Sequence, residues 1–332
     1  MNHQSLATLI QEACANNVKE VFLLPGRPPC LRREDGLAST MSAVLSPDDT
    51  ATVARALCGD EGIQRLAVRG FNRTRIPAPE GFDASATIAR AQGGYTITIR
   101  LRQVDPNTLS LEALAVPTQL RAMIEHTHGL VLVTGPHGSG RSTTLYALAH
   151  HLASKPLHLC TVEDPIEHVL SANTGLVQQR QVGRDVPDAT TGILAAMHQD
   201  VDVVVVFDLP DFDTLMAAVT AAETGHLVLV QVQGSSPVEA LRRIIGAAPD
   251  DVRELFQTQL AAVLLGVSTQ RLHSKPQGGL RAVYGILTAT DALRNALRNG
   301  EDLTPVAEMR PALGAEVARL ITSAQIVDPT VC

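Results

Sequence analysis

Hydrophobic positions change their rhythm once along this chain, near residue 128. Before that point the signals are mixed. Leu6, Leu9, Ile10, Ala13 and Cys14 fall on one stripe at helical spacing, and Val21 to Leu24 is a short apolar run that predicts a strand. Ser46-Pro-Asp-Asp49 predicts a helix start, with a capping serine, proline at the first helical position and two acids near the positive end of the dipole. Residues 85 to 90 and 95 to 103 alternate or run β-branched around Gly93-Gly94, the pattern of a hairpin. Turn-forming residues from Val104 to Ser110 mark a linker, followed by a helix from Pro117 to His126.

After residue 128, apolar runs alternate with helical segments, the signature of a mostly parallel sheet covered by helices. Strands are expected at Leu130 to Thr134, Leu157 to Val162, Val203 to Phe207 and Leu227 to Val232, each near-continuously apolar as burial of both faces requires. The intervening helices start near Arg141, Asp188 and Asp211. Two helices (237 to 246 and 250 to 265), two short strands (Ser268 to Leu272 and Ala282 to Leu287) and a helical remainder from Ala289 complete the reading. The expected fold class is α/β with two domains. Residues 1–110 form an N-terminal α/β domain and 111–332 a P-loop nucleotide-binding domain with a C-terminal helical region.

Composition narrows the partners. Apolar residues are 45% and charged residues 18% of 332, so the chain folds; aromatics are 3% and tryptophan is absent, so aliphatic side chains supply the packing. A net charge of −7 argues against a broad nucleic-acid surface. No apolar run is long enough to cross a bilayer, and the first residues show no basic segment before an apolar core, so no signal peptide is expected. Cys14, Cys30, Cys58, Cys160 and Cys332 are scattered without a CxxC pair, which fits a reducing cytoplasm better than zinc or disulfides.

The chemistry concentrates in four stretches. Gly135-Pro136-His137-Gly138-Ser139-Gly140-Arg141-Ser142 follows the phosphate-binding template G-x-x-x-x-G-K-[ST] except at Arg141, and Thr143 extends the hydroxyl run. Glycines let backbone N–H groups turn onto an anion, the following helix adds its dipole, and Ser142 is placed to hold Mg²⁺. Thr161-Val-Glu-Asp-Pro-Ile-Glu167 sets Glu163, Asp164 and Glu167 at a strand's carboxyl end, where they would orient water or Mg²⁺; alone, an acidic surface turn explains them equally well. Gln199 to Asp208 has the form of a strand carrying an acid at its tip. Thr220 to Gln233 is a helix end followed by a strand closing on Gln231 and Gln233.

Together these stretches resemble the hexameric ATPases of type II secretion and type IV pili. TVEDPIE is similar to that family's acidic box, TAAETGHLV to the run before its histidine box, and Ala292-Leu-Arg-Asn-Ala-Leu-Arg-Asn299 to the segment that marks the PilT-like retraction branch. Read without the other motifs, residues 292 to 299 are an amphipathic helix with Leu293 and Leu297 inward and both arginines exposed. The resemblance implies a PAS-like N-terminal domain, a RecA-like P-loop domain, ATP and Mg²⁺ as cofactors, and Ser142 and Asp164 at the metal. It also implies catalytic roles for Glu163, Asp208 and Gln233. Its implied partners are further copies in a homo-hexamer or a mixed assembly with a paralogous ATPase, and an inner-membrane pilus platform protein. Nucleic acid is not among them, and the location is cytoplasmic, peripheral to the inner membrane at most.

Departures from that pattern cluster at the chemistry. Arg141 stands for lysine, Asp208 for glutamate, Phe207 and Pro210 for a glycine and an arginine, Gln233 for histidine, and Leu194 and His198 for two arginines. Of the N-terminal arginines that the family lends to a neighbour's nucleotide, Arg90, Arg100 and Arg102 are the candidates here. A forked guanidinium does not replace a point charge, and a carboxylate withdrawn by ~1 Å costs on the order of 10²-fold in rate. The expectation is a retraction-type subunit that binds ATP–Mg²⁺ with weak or lost hydrolysis. The alternatives are a compensated, fully active motor and a nucleotide-independent scaffold.

Overall fold

The computed structural model describes residues 3–33, 36–91, 93–103, 109–172, 174–209, 211–275, 279–304 and 310–311. The greater part of the expected linker, Pro210 and Cys332 lie outside them. The chain divides into two compact units: Met1–Pro106 with Asp164–Val169, and Asn107–Glu163 with Leu170–Cys332.

The first unit runs α1 (His3–Ala15), β1 (Glu20–Leu23), β2 (Cys30–Arg33), β3 (Gly36–Ser39), α2 (Pro47–Arg69), β4 (Phe71–Ile76), β5 (Phe82–Ala91) and β6 (Gly94–Gln103). Its described strands form one antiparallel sheet in the order β3-β2-β1-β6-β5-β4. The helix start at Ser46 is a full capping box: Ser46 Oγ accepts from the Asp49 N–H, and Asp49 accepts from the Ser46 N–H. The expected α1 stripe, Leu6, Leu9, Ile10, Ala13 and Cys14, is buried against Val21, Leu23, Ile97 and Ile99. Three strands were not expected: β2, β3 and β4. β3 is exposed throughout and β2 at two of four residues, so neither carries a buried alternation to read.

The second unit runs α3 (Thr118–Met123), β7 (Gly129–Gly135), α4 (Arg141–Ala153), β8 (His158–Glu163), β9 (Leu176–Gln181), α5 (Ala189–Met197), β10 (Val203–Val206), α6 (Phe212–Glu223), β11 (Leu227–Gln233), α7 (Pro237–Gly246), α8 (Arg253–Val263), β12 (Leu264–Ser274), β13 (Leu280–Thr288), α9 (Asp291–Arg298) and β14 (Arg310–Pro311). Sheet order is β14-β13-β12-β7-β11-β10-β8-β9, parallel from β12 to β9 with an antiparallel hairpin at the other edge. Successive β7 residues feed opposite cores. Leu130 and Leu132 join the layer of α5 to α9, while Val131 and Val133 join that of α3 and α4. This two-sided burial is why β7, β10 and β11 are continuous apolar runs.

Three expectations are corrected here. The helix expected through residue 265 ends at Val263, and the strand begins at once with Leu264. Of the expected helical remainder from Ala289, the described residues are helical over α9 while Arg310–Pro311 instead pairs with β13, and residues 305–309 and 312–332 lie outside the described residues. On α9, Leu293 and Leu297 are buried as expected, but Arg294 is half-buried: its Nη1 donates to the carbonyls of Ala261 (2.7 Å) and Ala262 (3.0 Å) at the end of α8. Among the described residues no helix is long and apolar enough to cross a membrane.

Candidate nucleotide site

β7 ends at Gly135, and the loop to α4 is built on positive backbone angles: φ is 151° at Gly135, 77° at Gly138 and 86° at Gly140. Only glycine tolerates that series. At Gly135 space forbids a side chain as well, since a Cβ would lie 2.4 Å from Ser139 Oγ and 2.6 Å from the Gln270 carbonyl. Pro136, His137 and Gly138 are exposed and Ser139 is buried. Gly140 caps α4 without a side-chain bond, so the first-turn N–H groups of Arg141, Ser142 and Thr143 face outward with no intrahelical acceptor. This is an anion cradle: consecutive donors, a helix dipole and no competing carboxylate in the loop.

The first turn of α4 is stitched to the end of β11, its neighbour across β7. Arg141 is 8% exposed, and its Nη1 donates to the Val232 carbonyl at 2.8 Å. Burial pulls the guanidinium below its ordinary value, and the charge of exposed Asp208 offsets part of that. Ser142 Oγ donates to Gln231 Oε1 at 3.1 Å. Gln233, the last residue of β11, is exposed and lies opposite Gly135 in the sheet register. The cation that the template reserves for phosphates is therefore spent, in this conformation, on a backbone carbonyl.

Glu163 is enclosed by side-chain donors. Its carboxylate is 1% exposed and accepts from Tyr146 Oη of α4, Thr161 Oγ1 (2.5 Å) and Gln179 Nε2 of β9 (2.9 Å). Gln179 in turn accepts from the Leu170 N–H at 2.7 Å. The Phe207 ring packs on Tyr146 with centroids 4.3 Å apart, so the residue standing in place of glycine clamps the tyrosine that reaches Glu163. This hub ties α4, β8 and β9 together at the carboxyl end of the sheet.

Asp164 and Glu167 belong to the first unit. There Arg73 donates to the Asp164 carbonyl (2.7 Å), Arg69 lies 3.9 Å from its carboxylate, and Arg102 grips Glu167 with both Nη atoms. Arg100 pairs with Glu20 at 3.0 Å. Of the arginines the resemblance points to, Arg102 and Arg100 are thus engaged within the chain. Among the described residues no group of three or more His, Cys, Asp or Glu is arranged to hold a metal ion. Leu194 and His198, in place of two arginines, are exposed.

The same unit buries Asp83, whose carboxylate meets Arg75 Nη2 at 2.8 Å and His168 Nδ1 at 2.5 Å. Burial pushes the Asp83 carboxyl up, but bonds from His168 and Arg75 outweigh it and leave it below its ordinary value. A lowered carboxyl contributes stability above its unfolded pKa and loses it as pH falls through the folded one. Asp83→Asn should therefore destabilise the protein by about 2 kcal/mol at pH 7, the size of lost charge-assisted hydrogen bonds. It should also flatten the decline in stability below about pH 4. Urea unfolding at pH 7 and pH 3.5 reads both, and equal slopes for the two proteins would refute the role.

Sequence reading missed Gln270 and Tyr146, which carry no motif letter. The signal for Tyr146 was its position, one helical turn past the hydroxyl run.

The family described as Type II/IV secretion system protein matches residues 85–278. A type IV pilus retraction ATPase of Pseudomonas aeruginosa, PilT, is 35% identical over 313 residues, covering 93% of this chain and 88% of that one. An uncharacterized Escherichia coli K12 protein, YggR, is 36% identical over 208 residues, so the match spans 62% of this chain and 64% of the relative's length. Among solved structures, the pilus retraction motor PilT with bound ADP superposes with a TM-score of 0.79 at 26% identity, covering 96% of this chain and 89% of that one.

Proposed function

This chain belongs to the Type II/IV secretion system protein family, and on that premise we propose that it is a PilT-like subunit of type IV pilus retraction. In this reading it binds ATP–Mg²⁺ and hydrolyses it weakly or not at all. One observation carries the proposal: the loop keeps a complete backbone cradle for phosphates while its single cation, Arg141, bonds to Val232. Bound Mg·ATP supplies the phosphoanhydride and the divalent charge that neutralises it.

The chain's own residues divide the work unequally. N–H groups of Gly138 and of Gly140 to Thr143 bind the phosphate oxygens, and affinity from backbone donors does not depend on the side chain at 141. Ser142, whose hydroxyl donates to Gln231 in this structure, is the residue that would hold the metal ion beside the phosphates. Asp208 and Gln233, both exposed at strand ends, are the groups left to orient water, the first short of reach and the second unable to titrate near neutrality. Glu163, enclosed by its donors, holds α4 in place. Affinity survives this arrangement better than turnover does.

In the same reading the subunit works in a hexamer, alone or mixed with a catalytically competent paralogue. It sits on the cytoplasmic side and docks on an inner-membrane pilus platform protein. Light scattering with and without ATP reads the assembly, and monomers in both conditions would count against it. Calorimetry with ATP and ADP plus a phosphate-release assay tests the core of the proposal. The expected outcome is saturable binding with turnover below about 10⁻² s⁻¹, the order of a P-loop enzyme lacking full charge stabilisation. Absence of binding at millimolar nucleotide would favour a scaffold, and fast turnover abolished by Arg141→Ala would favour a compensated motor.

A further inference from the structure

Behind the loop, on β12, lies Gln270, 1% exposed, in a strand that runs parallel to β7. Its Nε2 donates to the Ser139 carbonyl at 2.9 Å. The other end of the same amide, Oε1, has no partner among the described residues, so the Ser139 carbonyl alone sets the amide's direction. The Ser139–Gly140 peptide is trans, and in a trans peptide the C=O and the following N–H point in opposite directions. Fixing the Ser139 oxygen toward β12 therefore aims the Gly140 N–H away from β12. That N–H has no acceptor among the described residues. The fit leaves no slack: a Cβ at Gly140 would come within 3.2 Å of Gln270 Nε2, and one at Gly135 within 2.6 Å of the Gln270 carbonyl.

We infer that Gln270 is a positioning residue for phosphate binding, which presets one loop peptide so that Gly140 presents its N–H to the nucleotide. The assignment rests on the proposed nucleotide reading for its purpose and on the ligand-free geometry for its mechanism. Without the amide the peptide is free to turn over, and the Gly140 donor must be ordered anew at each binding event. The contribution is common to ATP and ADP, because it acts on the loop and not on the γ-phosphate.

The test compares full-length wild type with Gln270→Met, which keeps the side chain's length and removes the donor, and with Gln270→Glu, which keeps its shape and turns an acceptor toward the Ser139 oxygen. Hydrogen exchange on ligand-free protein comes first. The amides of Ser139 and Thr144, bonded to Pro136 and Gly140 carbonyls, should exchange roughly tenfold faster in the Met variant while β7 stays protected. Unchanged exchange at both would overturn the inference whether or not nucleotide binds. Calorimetry with Mg·ATP and Mg·ADP should then show affinity weakened roughly five- to tenfold for both, the worth of one hydrogen bond, and more in the Glu variant. Wild-type affinity in both variants, or a loss confined to ATP, would also overturn it. Failure of wild type to bind either nucleotide would sink the proposed function, with the exchange result still deciding Gln270.

Discussion

Glu163→Ala should lower the melting temperature by roughly 10 °C. The carboxylate it removes satisfies the Tyr146 hydroxyl, the Thr161 hydroxyl and the Gln179 amide in a site that is 1% exposed. Each stranded donor costs about 1–3 kcal/mol, and the vacated volume adds to it. A sum of ~4 kcal/mol, at about 2–4 °C per kcal/mol for a unit of this size, gives that shift. Glu163→Gln separates the structural role from a catalytic one. The amide keeps the volume and one acceptor but sets an N–H against one of the donors, so an intermediate loss of stability is expected. Tyr146→Phe should couple to it non-additively, because both changes break the same bond. Calorimetric melts of the two single variants and the double variant read this. Were Glu163 a water-orienting base with no structural duty, Glu163→Gln would melt like wild type and lose turnover, and Tyr146→Phe would be silent.

The surroundings of Glu163 show where local reading of the sequence stops. A strand's carboxyl end can be recognised from Leu159 to Val162, and an acid there suggests a ligand face. That the acid turns inward depends on Tyr146, 17 residues before it, and Gln179, 16 residues after it, neither of which has a local signature. Local rules worked where the chain's own neighbours decide the outcome. Asp188 and Asp211 were expected helix starts, and each caps its helix by accepting from the N–H of the third residue on. The loop glycines likewise carry their backbone demand in their identity. Local rules failed at β9, a sheet-edge strand whose sequence LVQQRQ is half-exposed and mostly polar, so neither apolar periodicity applies to it. The α8–β12 junction failed for the opposite reason. Leu260 to Val267 is too uniformly apolar to show a change of period, and Leu264 turns the chain without a glycine. Gln270 sits in the polar tail of β12 and reads as an ordinary edge residue until β7 is placed beside it.

Arg141→Lys should raise ATP turnover roughly tenfold over wild type and leave ADP affinity within about threefold, because backbone donors carry the binding and the side chain carries the transition state. The structural cause is the direction in which Arg141 is held. Its planar fork matches the Val232 carbonyl at 2.8 Å, and its burial makes that bond costly to leave for a phosphate. A lysine at the same place has one compact charge on a flexible stem and can follow the phosphates. The gain should fall well short of a competent motor, because Asp208 still holds its carboxylate one methylene back. Adding Asp208→Glu should therefore multiply the rate by more than either change alone, as expected of groups that act as a unit. Steady-state phosphate release, with single-turnover measurements to isolate the chemical step, reads all four proteins. A fall in rate for Arg141→Lys would mean that Arg141 and Asp208 already work together, the guanidinium answering to the carboxylate that acts on it. The loop would then belong to a rewired enzyme instead of a binding subunit. The sign of one substitution thus separates the two, because the cradle is common to both and only the use of the cation differs.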